Sequence, residues 1–81
     1  MFKVLHLPTG TCLKRYDSIT NSFCDIEVAS EHLAKHVIQN YSLLRINKRN
    51  DRLMYVSLYF PNDEWSTVLK EHLEIMEVDN V

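Results

Sequence analysis

Apolar and polar residues alternate twice within the first sixteen positions of the chain, in FKVLHL and again in TCLKRY. A period of two is typical of β-strands. Pro8 and Gly10 lie between the two segments, where the fixed φ of proline and the access of glycine to positive φ suit a tight turn. We therefore predict a β-hairpin in which Leu5 lies opposite Leu13. Gly10 is assigned to the turn rather than to a phosphate-binding loop, because such a loop needs several glycines.

A long amphipathic pattern follows the polar segment DSITNS. From Ile26 to Val37 apolar residues recur at intervals of three and four, as they do along one face of a helix. Asp25 is a suitable N-cap, and Lys35 lies late in the pattern, where the helix dipole favours a cation. The pattern predicts a helix from Ile26 to Gln39 that lies across one face of the sheet.

Residues 41–60 show the pattern of a second hairpin, with an apolar segment on either side of KRND. Met54 begins an alternation of apolar residues that continues to Phe60, and this alternation predicts the buried face. The register that joins the apolar faces of the two strands sets Ile46 opposite Met54.

The last twenty residues predict a short helix and a final strand. Asn62 is a suitable cap for the helix, and HLEIMEV, residues 72–78, alternates as a strand does. The apolar residues from Trp65 to Met76 also fit one continuous helix, and we favour the strand. The complete prediction is one α+β domain over residues 1–81, an antiparallel sheet of order β-β-α-β-β-α-β with one long helix packed on a face. The predicted core comprises Leu5, Leu13, Leu33, Val37, Val56, Leu58 and Trp65.

Charge is distributed unevenly along the chain. Residues 1–60 carry eight Lys and Arg against five Asp and Glu, whereas residues 61–81 carry one Lys against six acidic residues. No apolar run approaches the roughly 18–20 residues that span a bilayer, so we expect no membrane association. The N-terminus does not resemble a secretory signal, and Cys12 and Cys24 are therefore expected to be reduced thiols of a cytoplasmic protein.

Sequence patterns for catalysis and metal binding are weak. His32 and His36 lie four apart on the predicted helix, a spacing that can place two ligands on one metal, but neither cysteine has a second cysteine beside it. Glycine is too scarce for a backbone oxyanion hole, and nothing resembles the turn that carries a catalytic nucleophile. We predict a protein without a metal, a cofactor or an enzymatic activity.

The most distinctive chemistry lies on the second predicted hairpin, which carries both basic residues and tyrosines. Arginine and tyrosine dominate the energetics of protein–protein interfaces. The same residue types bind single-stranded RNA, because they neutralise phosphates and stack on bases. A solubilising hairpin tip is a third interpretation. The candidate partner-binding residues are Tyr41, Arg45, Lys48, Arg49, Arg52, Tyr55 and Tyr59.

Three segments of the chain resemble a known group of proteins. FKVLHLPTG, FCDIEVASEHLAKHV and EHLEIMEV are together similar to small early accessory proteins of tailed, T-even-like phages, many of which begin with a Pro-Thr-Gly hairpin and end in a Glu-rich strand. The resemblance implies host takeover or counter-defence. It implies a protein that acts in the host cell cytoplasm and binds one host or anti-phage defence protein, such as a nuclease, a toxin or a transcription component. It transfers no functional residue.

Three hypotheses follow. The first is a non-enzymatic protein-binding module, a phage-encoded inhibitor or modulator of a host or defence protein, which uses the basic and aromatic hairpin or the acidic end. The second is a small RNA-binding module that uses the same hairpin, residues 41–60. The third is a structural homodimer formed through the uncovered face of the first hairpin.

Overall fold

The computed structural model describes residues 1–55 and 64–78, and within them the chain forms antiparallel β-sheets with one α-helix. The predicted α+β class is confirmed. The helix is α1, Glu31–Gln39. The strands are β1 (Phe2–His6), β2 (Thr11–Cys12), β3 (Lys14–Asp17), β4 (Ser22–Asp25), β5 (Leu44–Asn47), β6 (Leu53–Tyr55), β7 (Trp65–Thr67) and β8 (Leu73–Glu77).

The strands of the described residues form three hydrogen-bonded groups, ordered β2-β1-β8, β3-β4 and β6-β5-β7. Within this part of the chain, two isolated bridges attach further residues to these groups. Phe2 and Val28 exchange two backbone hydrogen bonds of 2.8 Å, and Leu13 forms a parallel bridge to Leu53. Leu13 is therefore the point at which the first hairpin meets the second.

The first hairpin is confirmed, but its register differs from the prediction by one residue. Leu5 lies opposite Cys12 rather than Leu13. The connection holds four residues, closed by a 2.8 Å hydrogen bond from the Gly10 N–H to the His6 carbonyl. Gly10 has a φ of 69°, as its assignment to the turn requires. Because the loop is one residue longer than in the predicted hairpin, every cross-strand pair moves by one position.

The predicted start of the helix is wrong. Val28, in the predicted first turn, instead forms an antiparallel bridge with Phe2 of β1. Asp25 ends strand β4 and does not cap a helix. Instead, Ser30 is the N-cap, and its hydroxyl accepts a 3.2 Å hydrogen bond from the Leu33 N–H. The helix consequently begins at Glu31 and not at Ile26.

The helix packs on β1 and β8 through Ala34, which has no exposed surface. Leu33, predicted for the core, is 47% exposed because the shortened helix presents the Ala34 side to the sheet. Val37 is partly buried against the core, in agreement with its predicted place there. No helix in residues 1–55 and 64–78 combines the length and apolar character needed to cross a membrane.

The second hairpin also differs from its predicted register by one residue. Ile46 lies opposite Leu53, not Met54. The backbone N–H of Asn47 donates to the Arg52 carbonyl over 2.9 Å, and Asp51 adopts a left-handed φ of 57° in the turn between them. Leu53 therefore enters the core and Met54 turns to the opposite face.

The C-terminal part combines one wrong and one confirmed prediction. Trp65–Thr67 is a strand, hydrogen-bonded along β5 with Trp65 opposite Asn47, where a short helix was predicted. Asn62, its predicted cap, lies outside the described residues. The predicted final strand is confirmed as Leu73–Glu77, which pairs along the full length of β1. Beyond it, the Val78 N–H donates to the Met1 carbonyl over 2.8 Å.

The core of the described residues lies where the helix and the three groups of strands meet. Of the predicted core residues, Leu13 is buried, whereas Leu5 and Trp65 are only partly buried. Val56 and Leu58 lie outside the described residues. The buried apolar residues are Val4, Leu13, Ala34, Leu44, Ile46, Leu53, Val68 and Leu73.

His6 is buried at the turn end of the first hairpin. Its Nδ1 lies 2.9 Å from the Thr9 hydroxyl, and the ring of His72 is edge-on at 6.0 Å between centroids. Burial and the neighbouring His72 lower the pKa of His6 below its usual 6.5, and the carboxylate of Asp51 opposes them. The Thr11 hydroxyl, which completes this cluster, donates to the Asp51 carbonyl over 2.9 Å.

Stability should therefore fall on mild acidification. Well above pH 6.5 His6 is neutral in both states, whereas near 6.5 and down to its lower folded pKa the unfolded chain binds the proton more readily. We expect the free energy of unfolding to decrease as the pH falls from 7.5 through this window, and to decrease less in His6→Gln. Urea denaturation at pH 7.5, 6.5 and 5.5 measures how the free energy of unfolding changes with pH in the original protein and in His6→Gln. His36→Gln, on the exposed helix surface, is the control, and an unchanged slope in His6→Gln would contradict the assignment.

Candidate binding pocket

A pocket of about 170 Å³ opens between the β3–β4 hairpin and the strands β5, β6 and β7. An engineered cavity of about 150 Å³ accepts benzene, whereas sites for drug-sized ligands occupy about 300–1,000 Å³. The space therefore suits one aromatic ring or one branched aliphatic side chain. The pocket is lined by Phe23, Asn47, Asn50, Arg52, Met54, Tyr55 and Trp65.

The displaced register of the second hairpin builds one wall of this pocket. Because Leu53 occupies the core, Met54 is available on the opposite face, and Tyr55 follows it at the strand end with 43% of its surface exposed. Strand β7 places Trp65 opposite Asn47 on the other side of β5. A pocket wall thus forms from residues that are separated in the sequence but adjacent in the sheet.

A stack of side chains connects the β3–β4 hairpin to the pocket. The Arg52 guanidinium carbon lies 3.9 Å from the centre of the Phe23 ring, a favourable cation–π distance. The Tyr16 ring packs edge-on against the Phe23 ring, with 5.3 Å between the two ring centroids. Half of Tyr16 is exposed, so the stack extends an accessible aromatic surface from the pocket along the hairpin.

Two asparagine side chains shape the turn at the pocket mouth. The Asn47 Oδ1 accepts from the Arg49 N–H over 2.8 Å, and the Asn50 Oδ1 accepts from the Arg52 N–H over 3.1 Å. Both are Asx turns, in which a side-chain oxygen substitutes for a backbone acceptor. The Lys48 N–H donates to the Glu64 carbonyl over 2.8 Å, which ties the turn to the start of β7.

The structure brings together four of the seven residues proposed from the sequence. Arg52 and Tyr55 line the pocket, and burial raises the pKa of the Tyr55 hydroxyl. Lys48 and Arg49 are exposed on the turn that forms the pocket mouth.

The other three proposed residues are not part of the described pocket. The Arg45 guanidinium donates to the carbonyls of Ser42 and Leu44, so it is held against the backbone at the start of its own strand. Tyr41 is 38% exposed in a 3₁₀ turn outside the pocket lining. Tyr59 lies outside the described residues.

Sequence reasoning missed Phe23, Trp65 and Tyr16 as parts of this surface. Phe23 was placed before a helix that begins later, and Trp65 was placed in a helix and in the core. The available signal was the strand-like character of SFCD after a turn, which predicts a hairpin with Tyr16 opposite Phe23.

Reactive groups elsewhere have ordinary structural surroundings. Burial, followed by the Asp25 carboxylate, raises the pKa of the Cys12 thiol, which keeps it protonated. The hydrogen bond from Lys14, with a second from Lys3 at 3.0 Å, lowers the pKa of Asp25 despite its partial burial. In the described part of the chain no three His, Cys, Asp or Glu side chains form a group able to hold a metal.

Comparison with protein-family models, with curated proteins and with solved structures gives no match for this chain.

Proposed function

We propose that this protein is a non-enzymatic protein-binding module whose pocket receives one anchor side chain of a partner protein. The observation that carries the proposal is an open pocket of about 170 Å³ with walls of Phe23, Met54 and Trp65, beside an exposed basic turn. Anchors of this kind, buried in pockets and surrounded by polar groups, supply most of the binding energy of protein interfaces.

The residue types at the site support a protein partner. Tryptophan, tyrosine and arginine are the side chains most enriched at interface hot spots, and methionine adapts to irregular partners. Trp65, Tyr55 and Arg52 are all in contact with the same space. The stacked Tyr16 and Phe23 extend the apolar area beside it.

We further propose that the partner is a host or anti-phage defence protein in the infected cell. This part rests on the resemblance of three segments to small phage accessory proteins. A nuclease, a toxin or a transcription component would each be inhibited or modulated by a small domain that occupies a functional surface.

RNA binding is the second candidate, because a basic turn stands beside aromatic side chains that bases stack on. The dependence of affinity on salt concentration distinguishes RNA binding from protein binding. Affinity for RNA decreases steeply and log-linearly with salt concentration, whereas a packed protein interface responds less.

The test is affinity capture of the tagged protein from bacterial lysate, divided into nuclease-treated and untreated halves. One stoichiometric protein in both halves, whose addition to the purified module changes the fluorescence of the single tryptophan, Trp65, would support the proposal. A partner captured only without nuclease, or RNA alone, would support the second candidate. A captured protein that leaves Trp65 fluorescence unchanged would mean that binding uses another surface.

A further inference from the structure

We infer that the pocket selects an acidic peptide segment, one in which a carboxylate lies next to the aromatic or branched aliphatic anchor. This inference depends on the proposed protein-binding function and adds the chemistry of the partner. It is carried by the hydrogen-bonding polarity of the pocket mouth.

The mouth presents hydrogen-bond donors to an incoming ligand. Among the described residues, the Oδ1 atoms of Asn47 and Asn50 each accept a hydrogen bond from a backbone N–H group, and the Nδ2 amide of each side chain is a donor. The Arg52 guanidinium lies over the Phe23 ring, and its N–H groups are donors as well. A ligand group that accepts several hydrogen bonds is therefore favoured at this position.

Charge at the turn favours the same group. The turn at the mouth carries Lys48, Arg49 and Arg52, against the carboxylates of Asp51 on the same turn and Glu64 just before β7. Of these charged residues, Arg52 lines the pocket. The Asp51 carboxylate acts on His6 of the first hairpin, where it opposes the effects of burial and of His72 on the His6 pKa. Donors combined with a positive local field are complementary to a carboxylate.

An acidic peptide fits these observations better than a nucleic-acid strand. A single-stranded RNA site follows the phosphate backbone along a positively charged groove over several nucleotides. Around the described pocket the cations are concentrated in one turn, at residues 48–52, and the pocket accommodates a single ring. One carboxylate beside one anchor side chain matches that arrangement.

Three blocked pentapeptides separate the contributions of the anchor and of the carboxylates. Acetyl-GDFDG-amide carries both, acetyl-GNFNG-amide replaces the carboxylates with neutral amides of the same shape, and acetyl-GDADG-amide removes the anchor. Titration is followed by the fluorescence of Trp65, which lines the pocket. We expect GDFDG to bind at least about tenfold more tightly than GNFNG, and GDADG to give no saturable change.

The outcomes separate this inference from the proposed function. If GDFDG and GNFNG bind equally and more tightly than GDADG, the pocket takes an anchor but selection of a carboxylate is wrong. If none of the three binds, the inference is overturned, and the capture experiment decides the proposed function independently. Tighter binding of single-stranded oligouridylate, with displacement of GDFDG, would overturn it in favour of RNA.

Asn50→Asp directly tests the role of the Asn50 Nδ2 group as a hydrogen-bond donor. The substitution keeps a side-chain oxygen for the Arg52 N–H, so the turn is retained, but it replaces the donating amide with a negative charge. We expect affinity for GDFDG to decrease at least about fivefold while affinity for GNFNG changes little. In the matched control, Asn21→Asp, the side-chain oxygen that accepts from the Tyr16 hydroxyl is likewise kept, at the far end of the β3–β4 hairpin. Equal losses in the two variants would contradict a local role for Asn50.

Discussion

Leu53→Ala is expected to lower the free energy of unfolding by about 2–5 kcal/mol, the cost of removing a buried leucine from a packed core. Leu53 has no exposed surface. It lies opposite Ile46 and bridges to Leu13, so its side chain stands where two hairpins meet. Stability for a domain of 81 residues is ordinarily about 4–12 kcal/mol, and much of it would be lost.

Chemical denaturation followed by circular dichroism and by Trp65 fluorescence measures this loss. Leu69→Ala is the matched control, because Leu69 is 51% exposed and its removal leaves no buried cavity. We expect the control to cost less than about 1 kcal/mol. Similar losses in the two variants would mean that Leu53 does not have the central position in the core that the structure gives it.

Tyr55→Ala is expected to weaken binding of the captured partner by at least about tenfold, which corresponds to about 1.4 kcal/mol. The residue forms a wall of the pocket with 43% of its surface exposed, so truncation removes contact area without opening the core. Isothermal titration calorimetry with the purified partner measures the change.

Tyr41→Ala is the matched control for this experiment. Tyr41 is also on the predicted hairpin and is similarly exposed, at 38%, but it lies outside the pocket lining. We expect its truncation to change affinity less than about threefold. Equal effects of the two tyrosines would argue for a broad contact surface in place of a single pocket.

The sequence predicted the class of fold and the existence of both hairpins, but not their registers. Alternation identifies which segments are strands, whereas the register depends on how many residues the turn holds. Gly10 and Asp51 each close a turn in a left-handed conformation, and in both hairpins the pairs lie one residue away from the predicted position. For Met54 that single residue decides between the core and the pocket.

Prediction of the site was limited for a different reason. Lys48, Arg49, Arg52 and Tyr55 are candidates from the sequence because they cluster around one turn. The remaining aromatic walls come from distant strands, and their approach depends on tertiary pairing that local patterns do not encode. Trp65 reaches the pocket because β7 pairs with β5. The polar residues before Trp65 favour a helix instead, so the sequence did not predict this pairing.

Pairing of the first strand with the last has a bearing on how the protein is synthesised. Phe2 lies opposite Glu77, so this edge of β1 has no β8 partner until residues 73–77 have been translated. The core residue Leu73 arrives at the same late stage. Closing a loop of this length carries a large entropic cost before its contacts form. We therefore expect the nascent domain to complete its core only once residues 73–77 have left the ribosome.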